Sequence, residues 1–423
     1  MSDISTLEYA RQCDAADPLA AFRDRFALPR DDCGEPLVYL CGHSLGLQPL
    51  AARDLVVEEL DDWARLAVRG HESARRPWID YHERMSAGLE LLAGARPGEV
   101  VAMSSLTVNL HLMLASFYRP TGRRTRVLIE AGAFPSDRHA VMSQIAWHGL
   151  DPHVELLELA ARSGELITHS ELEDYLAQHG ETIALVLWPG VQFRTGQAFD
   201  LAAVANAAQR AGCIVGFDLA HAIGNLPLAL HASGADFAVW CSYKYLNAGP
   251  GAIGGCFVHE RHGADPSHLR LAGWWGHDPV TRFDMRPEFR AAPGAAGWQV
   301  SNPPILSSAP LIASLELFAD AGMQRLRAKS LALTGLIERL VAPLDVRLIS
   351  PPDPEARGCQ LSLRLGGSPR RGRHVFERLG KRGVVCDWRE PDVLRVAPVP
   401  LYNRFEDVHR FADELALALR EIP

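Results

Sequence analysis

From about residue 100 onward the chain repeats one pattern, and that pattern restricts the fold more than any single motif. Short apolar runs alternate with helical stretches. Residues 127–130, 183–188 and 213–217 read as strands, and the last follows a helical stretch over 201–211. Such alternation predicts an α/β fold with a mainly parallel central sheet and helices on both of its faces. Ligands of such sheets gather at the carboxyl ends of the strands. Before this region lies an N-terminal arm, in which Leu55, Val56, Leu60, Trp63 and Leu66 recur at helical spacing over 49–68. After it, a long helix over about 311–340 leads to a small α+β unit. Its strands are expected at 346–349, 359–365, 384–386 and 394–396, with helices at 374–380 and 405–419. The expected division is an arm and helix over 1–70 packing on the small domain, a large ligand-binding domain over 71–315, and a small C-terminal domain over 316–423.

A chain of 423 residues is long enough for two packed domains. Its net charge of −8 comes with no basic cluster of the size nucleic acid requires. The densest cationic run, Pro369-Arg370-Arg371-Gly372-Arg373, reads as a solvated loop. No stretch approaches a membrane span, and Met1-Ser2-Asp3-Ile4-Ser5 shows no basic segment leading into an apolar one, so no secretory signal is expected. Eight cysteines without a CxxC pair fit reduced thiols in a cytoplasm. Seventeen histidines include no HExxH or comparable spacing, so no metal site is expected.

The chemistry concentrates around Ser242-Tyr243-Lys244-Tyr245-Leu246-Asn247. This stretch follows the apolar run 235–240 and precedes a glycine-rich segment over 248–255. An amine held between a buried strand and small residues is desolvated and available as a nucleophile. Asp218 ends another apolar run, over 215–217. A strand-end carboxylate that keeps a pyridinium nitrogen protonated, with a lysine for a Schiff base, is the pair a pyridoxal phosphate site requires. Lys244 alone reads as a surface lysine; the pairing reverses that.

Other residues carry two readings each. Ser104-Ser105-Leu106-Thr107 precedes an apolar helix and serves either as its cap or as an anion site at its positive end. Phe134, after the strand at 127–130, either stacks on a flat ring or fills the core. His221 either orients Asp218 by a hydrogen bond or is structural. Trp274 and Trp275, flanked by glycines, suggest a loop that meets a ligand or a partner subunit. Arg395 lies in an apolar strand, where an anion must meet it: a substrate carboxylate or an internal acid.

Eight motifs in order make the chain resemble the kynureninase family, within the fold type I pyridoxal phosphate enzymes. They are Gly42-His43-Ser44-Leu45-Gly46-Leu47-Gln48-Pro49, Arg76-Pro77-Trp78-Ile79, Leu106-Thr107-Val108-Asn109-Leu110-His111, Phe134-Pro135-Ser136-Asp137, Gly216-Phe217-Asp218-Leu219-Ala220-His221-Ala222, Trp240-Cys241-Ser242-Tyr243-Lys244-Tyr245-Leu246-Asn247, Ser301-Asn302-Pro303-Pro304 and Arg395-Val396-Ala397-Pro398-Val399-Pro400-Leu401-Tyr402-Asn403. The resemblance implies hydrolysis of L-kynurenine, and of its 3-hydroxy form, to an anthranilate and L-alanine. It implies that Lys244 is the Schiff-base lysine and the base at the α-carbon. Asp218, supported by His221, would meet the ring nitrogen, and Phe134 would stack on the ring. Leu106 and Thr107 would hold the phosphate beside Tyr243, with Pro135, Ser136 and Asp137 in the same shell. Trp274 and Asn302 would arrive from the neighbouring subunit of a homodimer. Arg395 would take the substrate carboxylate, and His71, Trp275 and Asn302 would line the aromatic pocket. Tyr243 is the candidate acid for the carbonyl chemistry. Two departures stand out: Pro189 replaces a hydroxyl phosphate contact, and His43 stands where some relatives have asparagine. A cysteine desulfurase-like lyase shares the expected fold and lysine, but needs a reactive cysteine, and Cys359 and Cys386 lie in apolar strand patterns.

Overall fold

The computed structural model describes residues 6–265 and 267–422, so the Met1–Ser5 stretch bearing on a secretory signal lies outside the described residues. One short strand, β1 (Val38–Tyr39), lies in the N-terminal segment. The central sheet contains β2 (Val100–Ala102), β3 (Arg126–Glu130), β4 (Leu156–Leu159), β5 (Ile183–Pro189), β6 (Ile214–Asp218), β7 (Phe237–Cys241) and β8 (Gly254–Val258). Their order is β2-β8-β7-β6-β5-β3-β4. Neighbours from β4 through β7 are parallel, and β8 is antiparallel to both β7 and β2.

Period-2 alternation sends the side chains of these strands to two cores. Val127, Ile129, Leu185 and Leu187 join the helices Leu106–Phe117 and Pro135–Trp147 on one face. Leu128, Val186, Trp188 and Phe217 join His169–His179 and Leu201–Arg210 on the other. Two strand glycines make room for aromatic neighbours. A Cβ on Gly216 would lie 2.1 Å from the Phe237 ring, and one on Gly255 2.2 Å from the Trp240 ring.

The second unit holds β9 (Val346–Leu348), β10 (Leu361–Leu365), β11 (Val384–Val385), β12 (Asp387–Arg389) and β13 (Val393–Val396). An antiparallel sheet runs β12-β13-β10-β9, and β11 pairs in parallel with β1. The arm is thereby tied to this unit. Helix Leu7–Ala15 adds to the tie: Asp14 accepts the backbone N–H groups of Phe405 and Glu406, capping helix Phe405–Glu421.

Three expectations need revision. The single helix over 311–340 is two helices, Ile305–Ala321 and Met323–Val341, bent by 82°. Gly322 sits between them at φ +74°, a conformation open to glycine that breaks the helical path. The cationic run 369–373 is the first turn of helix Pro369–Lys381, not a loop. Arg371 there donates to the carbonyls of Gly366, Leu419 and Ile422, the last two at the end of helix Phe405–Glu421, where carbonyls lack intrahelical partners. Finally, helix Leu50–Leu66 packs on Ile305–Ala321 rather than on the small unit. It turns Ala52, Glu59 and Asp62 inward while Trp63 is 60% exposed. Burying Glu59 is tolerable because Arg76, Trp78 and Tyr81 all donate to it, at 2.6, 2.9 and 3.0 Å. No single described helix is long and apolar enough to cross a membrane.

The two kinds of glycine differ measurably. Gly216→Ala forces the Phe237 ring aside and is expected to cost about 1–3 kcal/mol. Gly335→Ala, in the open interior of helix Met323–Val341 with nothing near its Cβ position, is expected to stabilise by about 0.5–1 kcal/mol. Urea midpoints of the two variants should move in opposite directions.

Candidate active site

The turn after β7 fixes Lys244. Asn247 at φ +51° lets the chain reverse, with Asn247 N–H donating to Lys244 O at 3.0 Å and Ala248 N–H to Ser242 O at 3.0 Å. Gly46 packs directly beneath: its N–H donates to Tyr243 O at 2.8 Å, and any Cβ would lie 2.3 Å from Lys244 O. The glycine of the N-terminal motif is therefore a condition for the placement of Lys244.

A cavity at the carboxyl ends of β3, β5 and β6 is lined by Leu106, Thr107, Phe134, Ser136, Asp137, Asp218, His221, Tyr243 and Lys244. Glu130, Pro189 and Phe193 line it too. Lys244 Nζ lies 3.1 Å from His221 Nε2, 5.7 Å from the Phe134 ring centre and 6.0 Å from that of Tyr243. The His221 ring meets Lys244 here rather than the Asp218 carboxylate. The turn after β6 carries its ring to the lysine, while Asp218 Oδ1 accepts the Ala220 N–H at 2.7 Å. Burial, then the nearby Lys244, Arg395 and His43 charges, holds the His221 imidazole well below its usual range, so it stays neutral and accepts from the amine.

The acids differ by environment. Asp137 is buried, and burial followed by the Asp218 charge pushes its carboxyl well above the usual range, which makes it a proton donor beside Asp218. Glu130, at the end of β3, is pushed up to about 8, mainly by burial and further by Asp218, against a hydrogen bond from Gln192. Sequence reasoning missed Glu130. The rule that found Asp218, an acid closing an apolar run, applies equally to it.

The polar groups fit pyridoxal phosphate. Helix Leu106–Phe117 begins without a side-chain cap from Ser105, leaving its first N–H groups free for an anion. Thr107 Oγ1 and Ser136 Oγ stand 2.7 Å apart at the same end. Asp137 Oδ1, His221 Nδ1 and Ser242 Oγ are buried without hydrogen-bond partners. Asp218 would face the ring nitrogen, Phe134 the ring, and Lys244 the aldehyde carbon. Pro189, the last residue of β5, lines the cavity but offers no N–H.

Five of the expected residues stand outside the cavity wall of the single chain, and Pro135 shapes it only by starting helix Pro135–Trp147. His71 is exposed, edge-on to Trp78 at 5.6 Å. Asn302 is exposed, and Trp274 is 51% exposed with its Nε1 donating to Arg282 O at 3.1 Å. Trp275 is buried under the Arg282 guanidinium, 4.4 Å from its ring. Arg395 is held by Asp387 and by Phe193 O. Elsewhere Glu99, His231 and His259 come together, a grouping the sequence spacing did not suggest. The Glu99 carboxylate is already committed to His231 Nδ1 and to the N–H groups of Arg96 and Glu260.

These features define the class: a mainly parallel sheet with a strand-end lysine and aspartate beside an uncapped helix start and two hydroxyls. The aminotransferase class-V family model matches residues 38–368, and the kynureninase C-terminal domain model matches 326–415. A kynureninase of Xanthomonas euvesicatoria pv. vesicatoria is 56% identical over 419 residues, 98% of this chain and 99% of the relative. A kynureninase of Xanthomonas campestris pv. campestris is also 56% identical, over 98% of each chain. The chain belongs to the kynureninase family, within the class-V aminotransferases. Among solved structures, the cysteine desulfurase CsdA of Escherichia coli has a TM-score of 0.76 at 20% identity, covering 96% of this chain and 99% of its own. The C-DES variant with glycine linked to its pyridoxal phosphate cofactor also scores 0.76, at 18% identity, with coverages of 90% and 96%. Both share the fold.

Glu130 generates a pH prediction. Its folded value lies above its unfolded one, so the folded protein holds the extra proton. Its contribution is complete below about 4.5 and disappears as pH rises through about 8. Glu130→Gln, which keeps the neutral form, is expected to flatten the fall in urea midpoint of the cofactor-free protein across that window.

Proposed function

We propose that this chain hydrolyses the Cβ–Cγ bond of L-kynurenine and 3-hydroxy-L-kynurenine, giving anthranilate or 3-hydroxyanthranilate and L-alanine. The observation that carries this is one cavity lined jointly by Lys244, Asp218, Phe134 and Thr107, in a chain 56% identical to kynureninases over almost its whole length. Pyridoxal phosphate bound there supplies a carbon that takes the substrate amine and a ring that accepts the electrons released at the α-carbon. Lys244 Nζ removes and returns the proton at that carbon. His221 holds Nζ at 3.1 Å and, being neutral, accepts its hydrogen bond without competing for the proton. Asp218 keeps the ring nitrogen protonated, and neutral Asp137 stabilises that carboxylate. Tyr243, whose phenol burial pushes upward, keeps its proton and donates to the substrate carbonyl during hydration and collapse. Arg395 takes the α-carboxylate.

The active unit is a homodimer in the cytoplasm, serving tryptophan breakdown or pyridine nucleotide synthesis. His71, Trp274 and Asn302 are exposed on the single chain, and so are large apolar side chains, among them Trp63, Val280 at 85% and Met285 at 77%. Surfaces of this kind mark protein contacts. A second subunit would cover them and bring Trp274 and Asn302 to its partner's cavity, with His71, Trp275 and Asn302 on the substrate ring. A desulfurase reading finds no reactive thiol at Cys359 or Cys386. Burial pushes the Cys359 thiol up to about 12 and the Cys386 thiol well above its usual range.

Lys244→Ala is expected to abolish anthranilate release and the cofactor's visible band; turnover at the wild-type rate would sink the assignment. Tyr243→Phe should lower kcat by roughly 10²–10⁴ with KM little changed. L-Cysteine should yield no sulfide. Mixing Lys244→Ala chains with Asn302→Ala chains tests subunit sharing: hybrid dimers regain one intact site, so activity above either parent is expected.

A further inference from the structure

Asp387 and Arg395 face each other across β12 and β13. Asp387 Oδ2 accepts from Arg395 Nε at 2.6 Å and from Nη2, while Nη1 donates to Phe193 O at 2.6 Å. The arginine side chain is 1% exposed. Its carboxylate-gripping edge is therefore already occupied by a carboxylate of the chain itself. Phe193 lines the active-site cavity, so this pair sits next to the cavity wall. The same Asp387 oxygen lies 3.0 Å from Arg389 Nε and 3.7 Å from His43 Nε2. Both His43 nitrogens are buried without a hydrogen bond. Asp387 thus grips Arg395, already has Arg389 at ion-pair distance, and has His43 just beyond hydrogen-bond reach.

We propose that Asp387 is a resident competitor for Arg395, displaced by the substrate's α-carboxylate and caught by Arg389 and His43. This rests on reading Arg395 as the carboxylate receptor. A buried guanidinium without a counter-ion is costly, and Asp387 supplies one while the site is empty. The incoming carboxylate replaces it ion for ion. Arg389 and His43 keep Asp387 paired after it lets go, so the exchange leaves no buried charge alone. A ligand without a carboxylate has nothing to exchange and leaves the pair closed. Asp387 therefore sets how tightly the site holds α-amino acids, and leaves the binding of the corresponding amines unchanged.

The holoenzyme decides this, assayed with L-kynurenine as substrate and with kynuramine, its decarboxylated analogue, as inhibitor. Asp387→Asn keeps the shape and removes the competing charge. Its KM for L-kynurenine is expected to fall on the order of tenfold, the share of time the fork was occupied, with kcat and the kynuramine inhibition constant unchanged. Arg389→Gln removes the partner that remains to Asp387 once Arg395 is released, and does so at a side chain that is already 37% exposed. It should raise KM for L-kynurenine several-fold and leave kynuramine unaffected, and it decides the matter if Asp387→Asn does not fold. A higher KM in Asp387→Asn, or an unchanged KM in Arg389→Gln, overturns the proposal and makes Asp387 a fixed brace. Arg395→Lys tests the underlying reading separately. If it weakens L-kynurenine no more than kynuramine, Arg395 is not the receptor, whatever Asp387 does.

Discussion

A sheet sealed by helices on both faces leaves only the strand ends for charge, and the active site is built within that constraint. Glu130 closes β3, Asp218 closes β6 and Lys244 follows β7. Each loses water there, and each is met by a neighbour: Gln192 for Glu130, Asp137 for Asp218, His221 for Lys244. The neighbours are held neutral, or nearly so, by the same burial that makes them necessary. His221 does not protonate beside the lysine, and Asp137 does not ionise beside Asp218. Lys244 helps to lower the His221 imidazole and Asp218 helps to raise the Asp137 and Glu130 carboxyls, and these two residues are the ones the proposed chemistry uses.

The sheet was legible because a strand buried on both faces must be apolar throughout, and residues 127–129 and 183–188 are. Asp218 and Lys244 were legible for the complementary reason: a charge that closes such a run stands at a strand end. Glu130 obeys the same rule and was passed over beside the aromatic Phe134. Periodicity misled where a helix meets two environments. Leu60 and Trp63 face outward while Leu55 and Val56 of the same stripe pack on the core, because Glu59 and Asp62 find donors on the segment containing Arg75 and Arg76. The sense of a stripe depends on partners far along the chain, which spacing does not contain. The break at Gly322 was hidden by uninterrupted apolar spacing on both sides of a single glycine.

His221 shows how far motif reading reaches. Its place in Asp218-Leu219-Ala220-His221 suggested a partner for the aspartate. The turn Leu219–Ala222, closed by the Ala222 N–H to Leu219 O bond at 2.9 Å, swings the ring towards Lys244 instead. The residue stays in the candidate site, 3.1 Å from the Lys244 amine. Spacing placed it near the chemistry, and a local hydrogen bond decided which group it serves.

The cavity wall belongs to the large domain, and the small domain holds it at Phe193. Arg395 comes from β13 of the small domain and anchors on Phe193 O of the large one. Asn225 accepts the Cys359 N–H at 2.9 Å, and Gly46 of the N-terminal segment supports the Lys244 turn. The arm is itself paired to the small domain through β1 and β11. A buried arginine at such a junction would weaken it in the absence of a counter-ion. The across-strand register of Asp387 and Arg395 supplies that counter-ion within one sheet, so the junction is electrostatically complete before any ligand arrives. A carboxylate that enters must match an arrangement the protein already satisfies, and that raises the demand on ligand charge at the point where the domains meet.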